Sequence, residues 1–226
     1  MAEKNEKTTA SAKLESFLAK NRKSVLITFI VVLVLIIGFI TFEIIKSTGS
    51  NKNLAKVEAL YYELIADSSD LDDAAVAKRS TECLEKLAAY TKKSGIVGVR
   101  ANMLAAELSY LEADYEDAIN YYDTAIAKGK KSYTAPICFY NKGSCFEELN
   151  KPSDAAEAYR AAAEFEEFGM APHAYFSLGR VLESLGDYEG AYEAYKSINE
   201  KFTDDDWGNL AETRIIDLKV QGKIEK

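Results

Sequence analysis

The hydrophobic pattern of the chain is densest near its start. Residues Val25 to Phe42 read VLITFIVVLVLIIGFITF, which is 18 consecutive positions without a charged side chain. At 1.5 Å of rise per residue, a helix of this length spans about 27 Å, close to the thickness of the hydrocarbon layer of a bilayer. Because lipid offers the backbone no hydrogen-bond partners, such a segment must be helical. The pattern predicts a transmembrane helix over residues 24–46.

The charged flanks of this segment predict how it is inserted. The basic residues before it are Lys4, Lys7, Lys13, Lys20, Arg22 and Lys23, and those soon after it are Lys46, Lys52 and Lys56. The positive-inside rule therefore predicts a cytoplasmic tail at 1–23 and translocation of the remaining chain. In the tail, Leu14, Phe17 and Leu18 share one face, which is typical of a short amphipathic segment on the membrane surface. The apolar core exceeds that of a secretory signal peptide and favours a permanent anchor, with cleavage near residues 47–50 as the alternative.

Beyond a predicted linker at residues 47–53, apolar side chains recur at three- and four-residue steps, as in amphipathic helices. Within this region the same residue types return every 36 or 37 positions. The matching columns are Ala118, Ala155 and Ala191; Tyr122, Tyr159 and Tyr195; Ala106, Gly143 and Gly179; and Pro136 and Pro172. Small residues at fixed places let two antiparallel helices approach closely, and the aromatic side chains fill the space toward the next pair. The pattern predicts an all-α domain of successive helix pairs over residues 54–226.

These columns resemble the tetratricopeptide repeat. The third copy, counted from Pro172, carries Gly179, Tyr188, Ala191 and Tyr195 where that motif has its small and aromatic residues. The resemblance implies a tetratricopeptide-repeat-like α-solenoid of about four helix pairs. A degenerate leading pair at 54–93 would precede the clearest repeats, 99–132, 136–169 and 172–205, and a capping helix at 206–221 would close the stack.

The whole plan, a short tail, one anchor and a repeat domain, is similar to that of the ancillary SecYEG translocon subunit (YfgM-like) family of bacteria. The residues before the anchor, FLAKNRK at 17–23, are similar to that family's aromatic–Asn–basic lead-in. This resemblance implies an inner-membrane protein with a periplasmic repeat domain. Its expected partners are the SecYEG translocon and exported polypeptides, which it would meet as an accessory or chaperone-like factor. A structural scaffold for another cell-envelope complex is the alternative, and self-association stays open.

The first helices of the pairs are expected to line the concave wall of such a solenoid, where these proteins bind their partners. By repeat position, the candidate groove residues are Arg100, Met103, Leu104, Glu107, Tyr110, Tyr140, Asn141, Ser144, Glu147, His173, Phe176, Ser177, Arg180 and Glu183. Aromatic anchors with polar neighbours are typical of a polypeptide-binding groove. A solvated face with incidental aromatic residues is the other interpretation.

Charge and composition narrow the function further. The chain has a net charge of −8, and residues 47–226 alone hold 21 basic and 32 acidic residues, a net charge of −11. Such an acidic domain would be repelled by nucleic acid, so no nucleic-acid partner is expected. With one histidine and no nucleophile elbow, phosphate loop or metal-ligand cluster, we expect no enzyme, cofactor or metal site. Cys83, Cys138 and Cys145 are interpreted as small buried apolar side chains.

Overall fold

A computed structural model of the chain describes residues 14–15, 17–18, 20–66, 72–165, 167–202 and 206–225. Within these residues the long elements are nine helices, and no strand is formed. The helices are α1 (Arg22–Ile65), α2 (Asp73–Thr91), α3 (Gly95–Leu111), α4 (Tyr115–Lys128), α5 (Thr134–Glu148), α6 (Pro152–Ala163), α7 (Ala171–Ser184), α8 (Tyr188–Lys201) and α9 (Trp207–Val220). The predicted all-α solenoid is confirmed.

The chain divides into two compact units, Met1–Asn51 and Lys52–Lys226. In the first unit, the apolar side chains of α1 are exposed, for example Leu35 at 67% and Phe39 at 67%. Val31–Glu63 is long and apolar enough to cross a membrane, judged by length and composition, and none of its most apolar window is buried. A signal sequence would meet the same criteria. Residues 1–13, 16 and 19 of the predicted tail lie outside the described residues.

The segment predicted as a linker is helical, and the boundary between the two units lies within it. Residues 47–53 are helical and belong to α1, which continues to Ile65. Ser, Gly and Asn lower helix stability by only about 0.5–1 kcal/mol each, whereas starting a new helix is costly. A helix that is already formed therefore propagates through them. Thr48 Oγ1 also donates a hydrogen bond to the Ile44 carbonyl at 2.8 Å within the same turn.

Three helix pairs, α3–α4, α5–α6 and α7–α8, repeat one design in the second unit. Each pair turns through a residue in the left-handed region, with φ of 61° at Ala113, 59° at Asn150 and 78° at Gly186. The next N–H then donates to the carbonyl five residues earlier, which closes the end of the first helix. These bonds join Asp114 to Ser109, Lys151 to Phe146 and Asp187 to Leu182, at 2.8, 2.8 and 3.0 Å.

The predicted small and aromatic columns form the core between the helices. Ala118, Ala155 and Ala191 are fully buried, and the tyrosines that follow them by four residues are at most 2% exposed. A β-carbon on Gly179 would lie 2.5 Å from the Tyr195 ring, and one on Gly143 would lie 2.7 Å from the Tyr159 ring. Glycine at these positions therefore lets each tyrosine lie directly on the first helix of its own pair.

Both ends of the stack are covered. At the start, Val57 of α1, Leu87 of α2 and Val97 of α3 share one buried cluster. At the other end, Ala211, Ile215 and Leu218 of α9 join the cluster that contains the core of α7 and α8. The end of α1 and α2 thus serve as the leading helices, and α9 closes the last pair.

Candidate binding face

Most of the predicted groove residues lie on the accessible side of α3, α5 and α7. We call this surface the first-helix face. Its members are half-buried or exposed, and they are Arg100, Glu107, Tyr110, Tyr140, Asn141, Ser144, Glu147, His173, Phe176, Arg180 and Glu183. The other three predicted residues are buried and do not belong to this face.

The structure corrects the predicted groove at Met103 and Leu104, which are core residues with 2% and 1% exposure. Met103 packs in the cluster of Val99 and Tyr122, and Leu104 packs with Val57 and Leu87. The helix that carries them, α3, is apolar nearly all round, and such helices are buried on several sides. The apolar composition of α3 could have indicated that these two residues are buried. The assignment by repeat position did not take it into account. Ser177 of α7 is also buried, at 8% exposure.

In the second pair, a tyrosine, a glutamate and an arginine connect three helices. The Tyr159 hydroxyl of α6 donates to Glu147 Oε2 of α5 at 2.8 Å. Arg180 Nη2 of α7 donates to the same oxygen at 2.7 Å. Burial is the main reason why the pKa of Tyr159 is raised, so its hydroxyl stays protonated and donates. We call this arrangement the Tyr–Glu–Arg bridge.

The third pair repeats the bridge with the capping helix as its last member. The Tyr195 hydroxyl donates to Glu183 Oε1 at 2.6 Å, and Arg214 of α9 donates to both oxygens of that carboxylate. The hydrogen bond to Glu183 is the main reason why the pKa of the Arg214 guanidinium is raised. Three of the predicted groove residues thus have partners within the chain: Glu147, Arg180 and Glu183. Sequence reasoning missed Arg214 because no repeat column marks it.

Among the described residues, the first pair forms no such bridge. Tyr110 stands where the later pairs have Glu147 and Glu183, and Ser144 stands where the next pair has Arg180. An open pocket of about 350 Å³ lies here, lined by Glu107, Tyr110, Leu111, Tyr122, Asn141 and Ser144. Burial raises the pKa of the Glu107 carboxyl, against the opposing charge of Arg100. We call this space the first-repeat pocket.

Next to the pocket, Arg100 is held by a glutamate outside the predicted set. Its Nε and Nη2 donate to the two oxygens of Glu58 of α1 at 2.7 and 3.0 Å. Such a two-point guanidinium–carboxylate pair has a fixed geometry. Arg100 therefore lies on the first-helix face with its guanidinium already paired to the leading helix.

At the other end of the face, aromatic rings are grouped around α7. The Phe176 ring centroid lies 5.0 Å from that of Trp207 and 5.4 Å from that of Tyr195. The His173 imidazole lies 4.2 Å from the Trp207 ring. Tyr140 of α5 repeats this packing against Tyr159 at 5.3 Å. Trp207 was missed because it follows the last complete repeat.

Nucleophilic and metal-binding groups are scarce in the part of the chain that the structure describes. Cys83, Cys138 and Cys145 are buried. Burial raises the pKa of Cys138 to about 12 and that of Cys145 to about 11, so both thiols are protonated at neutral pH. The described residues contain no cluster of three or more His, Cys, Asp or Glu side chains that could hold a metal ion.

Two overlapping stretches of the chain, residues 110–168 and 140–206, match the family model described as tetratricopeptide repeat. Over residues 110–206 the chain is therefore similar to tetratricopeptide repeats. A "TPR repeat-containing protein" of Treponema pallidum (strain Nichols) is 30% identical over 139 residues, which is 62% of this chain. The chain spans 58% of the length of that relative.

Solved structures with a similar course of the chain include MamA and the apo form of RapI. MamA is 18% identical, with a TM-score of 0.47, over 69% of this chain and 92% of its own. RapI is 16% identical, with a TM-score of 0.49, over 76% of this chain and 69% of its own. Tetratricopeptide repeats are protein-interaction modules, and such arrays bind along their extended surfaces.

Proposed function

We propose that the repeat domain binds a polypeptide along the first-helix face. The observation that carries this proposal is the row of half-buried aromatic side chains on successive first helices. Tyr140 and Phe176 lie 36 positions apart and pack on the tyrosines of their own pairs at nearly the same distance, 5.3 and 5.4 Å. Regularly spaced aromatic anchors are typical of surfaces that bind an extended or helical segment.

In this proposal α1 holds the repeat domain at a bacterial inner membrane, with the N-terminus in the cytoplasm and the repeats in the periplasm. The basic residues before the apolar segment favour this orientation. The domain would bind exported polypeptides beside the translocon, as an accessory or chaperone-like factor. Tethering raises the local concentration of the face where such chains emerge, so moderate affinity is enough.

Photo-crosslinking in intact membranes tests this proposal. A benzophenone amino acid at Phe176 keeps an aromatic ring on the first-helix face, and the same group at Glu157, on the exposed side of α6, is the matched control. We expect exported chains or translocon subunits to be captured from position 176 and not from 157. Equal capture from both positions, or from neither, would contradict binding on this face.

A structural scaffold for another envelope complex is the second candidate. The bridges favour it, because Glu147–Arg180 joins two successive helix pairs and Glu183–Arg214 joins the last pair to the capping helix, and both stiffen the array. A scaffold should keep a stoichiometric partner in detergent whether or not protein export is blocked. A chaperone-like factor should lose its captured chains when export stops.

A further inference from the structure

The first-repeat pocket differs from the later pairs at two positions of the bridge, because Tyr110 replaces the glutamate and Ser144 replaces the arginine. In the second pair, Arg180 comes from the following first helix and reaches the carboxylate that the buried tyrosine also contacts. The corresponding residue for the first pair is Ser144, on the first helix of the second pair. Its hydroxyl lies 3.1 Å from the Tyr159 hydroxyl within that second pair. Serine is too short to fill the space that an arginine would occupy.

A carboxylate for such an arginine is nevertheless present three residues before Tyr110 on the same helix. Glu107 is half-buried in the pocket wall, and in the described part of the chain it makes no hydrogen bond or ion pair. Its charge adds to burial in raising the pKa of the Tyr122 hydroxyl, and both side chains line the pocket. The guanidinium of Arg100 pairs with Glu58 through its Nε and Nη2, and within the described residues it makes no hydrogen bond to Glu107.

The rest of the pocket suits the remainder of an arginine side chain. The Tyr110 and Tyr122 rings offer faces on which a planar guanidinium can stack. Leu111 is 75% exposed at the rim and can cover the apolar stem. A volume of about 350 Å³ is at the small end of the range for ligand sites, so one side chain fits. The net charge of −11 over residues 47–226 attracts basic segments.

We propose that the first-repeat pocket binds an arginine side chain of a partner polypeptide. The guest guanidinium pairs with Glu107 and stacks on Tyr110 and Tyr122. It thus supplies in trans a cation like those that Arg180 and Arg214 supply in cis, with Glu107 as the carboxylate. The proposal rests on the proposed function, since it assumes a polypeptide on the first-helix face, and it assigns the chemistry of one contact.

Synthetic peptide pools can test this assignment with the full-length protein in detergent. Each pool holds 13-residue peptides with mixed flanks and one fixed central residue: arginine, its neutral analogue citrulline, or lysine. We expect the arginine pool to bind at least about tenfold more tightly than the citrulline pool, equivalent to ~1.4 kcal/mol. Equal binding of the arginine and citrulline pools would overturn the proposal. Equal binding of the lysine pool would overturn a guanidinium-specific site.

Variants locate the effect in the pocket. Glu107→Gln keeps the size of the side chain and should abolish the preference for arginine, whereas Glu157→Gln removes the same charge from α6 and should preserve it. Ser144→Arg should fill the pocket from within and exclude the guest. Loss of the preference in Glu157→Gln, or its survival in Glu107→Gln, would refute the assignment.

The two experiments separate the pocket assignment from the proposed function. If crosslinking from position 176 succeeds while the pools show no preference for arginine, the pocket assignment alone fails. If crosslinking fails as well, the proposed function fails with it.

Discussion

At the scale of single residues, the absence of a side chain at Gly179 determines how closely α7 and α8 can pack. The Tyr195 ring occupies the space of the missing β-carbon and is fixed there by its bond to Glu183. Gly179→Leu should therefore force the helices apart. Because overpacking typically costs about 1–3 kcal/mol and leucine adds four carbons, we expect a loss of about 3 kcal/mol. For a chain of this size that is roughly 6–12 °C in the midpoint of thermal unfolding.

The matched control for this substitution is Glu157→Leu, which places the same side chain on the exposed side of α6. Its unfolding midpoint should change by no more than about 2 °C, because exposed substitutions usually alter stability by less than 0.5 kcal/mol. Equal stability of Gly179→Leu and Glu157→Leu would show that the close approach of Tyr195 to α7 does not limit the packing.

Glu107 and Glu58 should influence stability in opposite directions. Burial raises the pKa of Glu107, against the charge of Arg100 and together with that of Glu58. The folded state thus binds this proton more tightly than the unfolded state, and the stability it contributes at low pH is lost as pH rises through the raised pKa. Glu107→Gln should consequently unfold at a higher temperature than the original protein at pH 7.5, and the difference should disappear near pH 4.

Glu58→Gln provides the contrasting measurement. The hydrogen bond from Arg100 is the first reason why the pKa of Glu58 is lowered. The stability that the Glu58 carboxylate contributes is present above its pKa in the unfolded state. It is lost as pH falls through its lower pKa in the folded state. Thermal melts should therefore show Glu58→Gln as destabilised at pH 7.5. The same direction of change for both variants at that pH would contradict the roles assigned to them.

At the scale of elements, the turns inside the helix pairs can be exchanged in opposite directions. Ala113 and Gly186 occupy the same turn position with positive φ, but only glycine adopts it without strain. Ala113→Gly should stabilise the turn between α3 and α4 by about 1 kcal/mol, and Gly186→Ala should destabilise the turn between α7 and α8 by about 1–2 kcal/mol. Urea unfolding of the two variants measures both effects. A stabilising Gly186→Ala would show that the turn conformation does not control these pairs.

The periodicity of the sequence predicted the elements well where one residue type recurs in one environment. The alanine and tyrosine columns return at 36 or 37 positions because each repeat buries the same contact, and the structure has these side chains in the core. The bridges could not be predicted in this way. Arg180 and Arg214 do the same work from different repeat positions, so no column reveals them.

The errors have the same origin. Met103 and Leu104 share the repeat positions of Tyr140 and Asn141, yet they are buried because α3 packs against the leading helices as well as against its own pair. The helical conformation of the predicted linker was not foreseen, because local propensity at residues 47–53 is too weak to end a helix that has already formed. In both cases the surrounding structure, rather than the residues themselves, determines the conformation or the burial.

At the scale of the whole molecule, the apolar part of α1 determines whether the repeats work in solution or at a surface. If α1 is a permanent anchor, the full-length protein carrying a tag at each end should stay in the membrane after alkaline carbonate extraction. Both tags should be found on one species. A cleaved signal sequence would instead give a soluble product without its N-terminal tag.

A pair of substitutions separates insertion in lipid from adhesion of a hydrophobic surface. An arginine near the centre of a membrane helix costs about 2.5–3.5 kcal/mol on insertion scales, so Leu35→Arg with Phe39→Arg should release the protein into the carbonate supernatant. Lys52→Glu with Lys56→Glu, outside the apolar stretch, is the control and should leave the protein in the membrane. If the two arginines leave the protein carbonate-resistant, the association is carried by something other than α1. The repeats would then reach the membrane through a partner, and the crosslinks from position 176 would identify it.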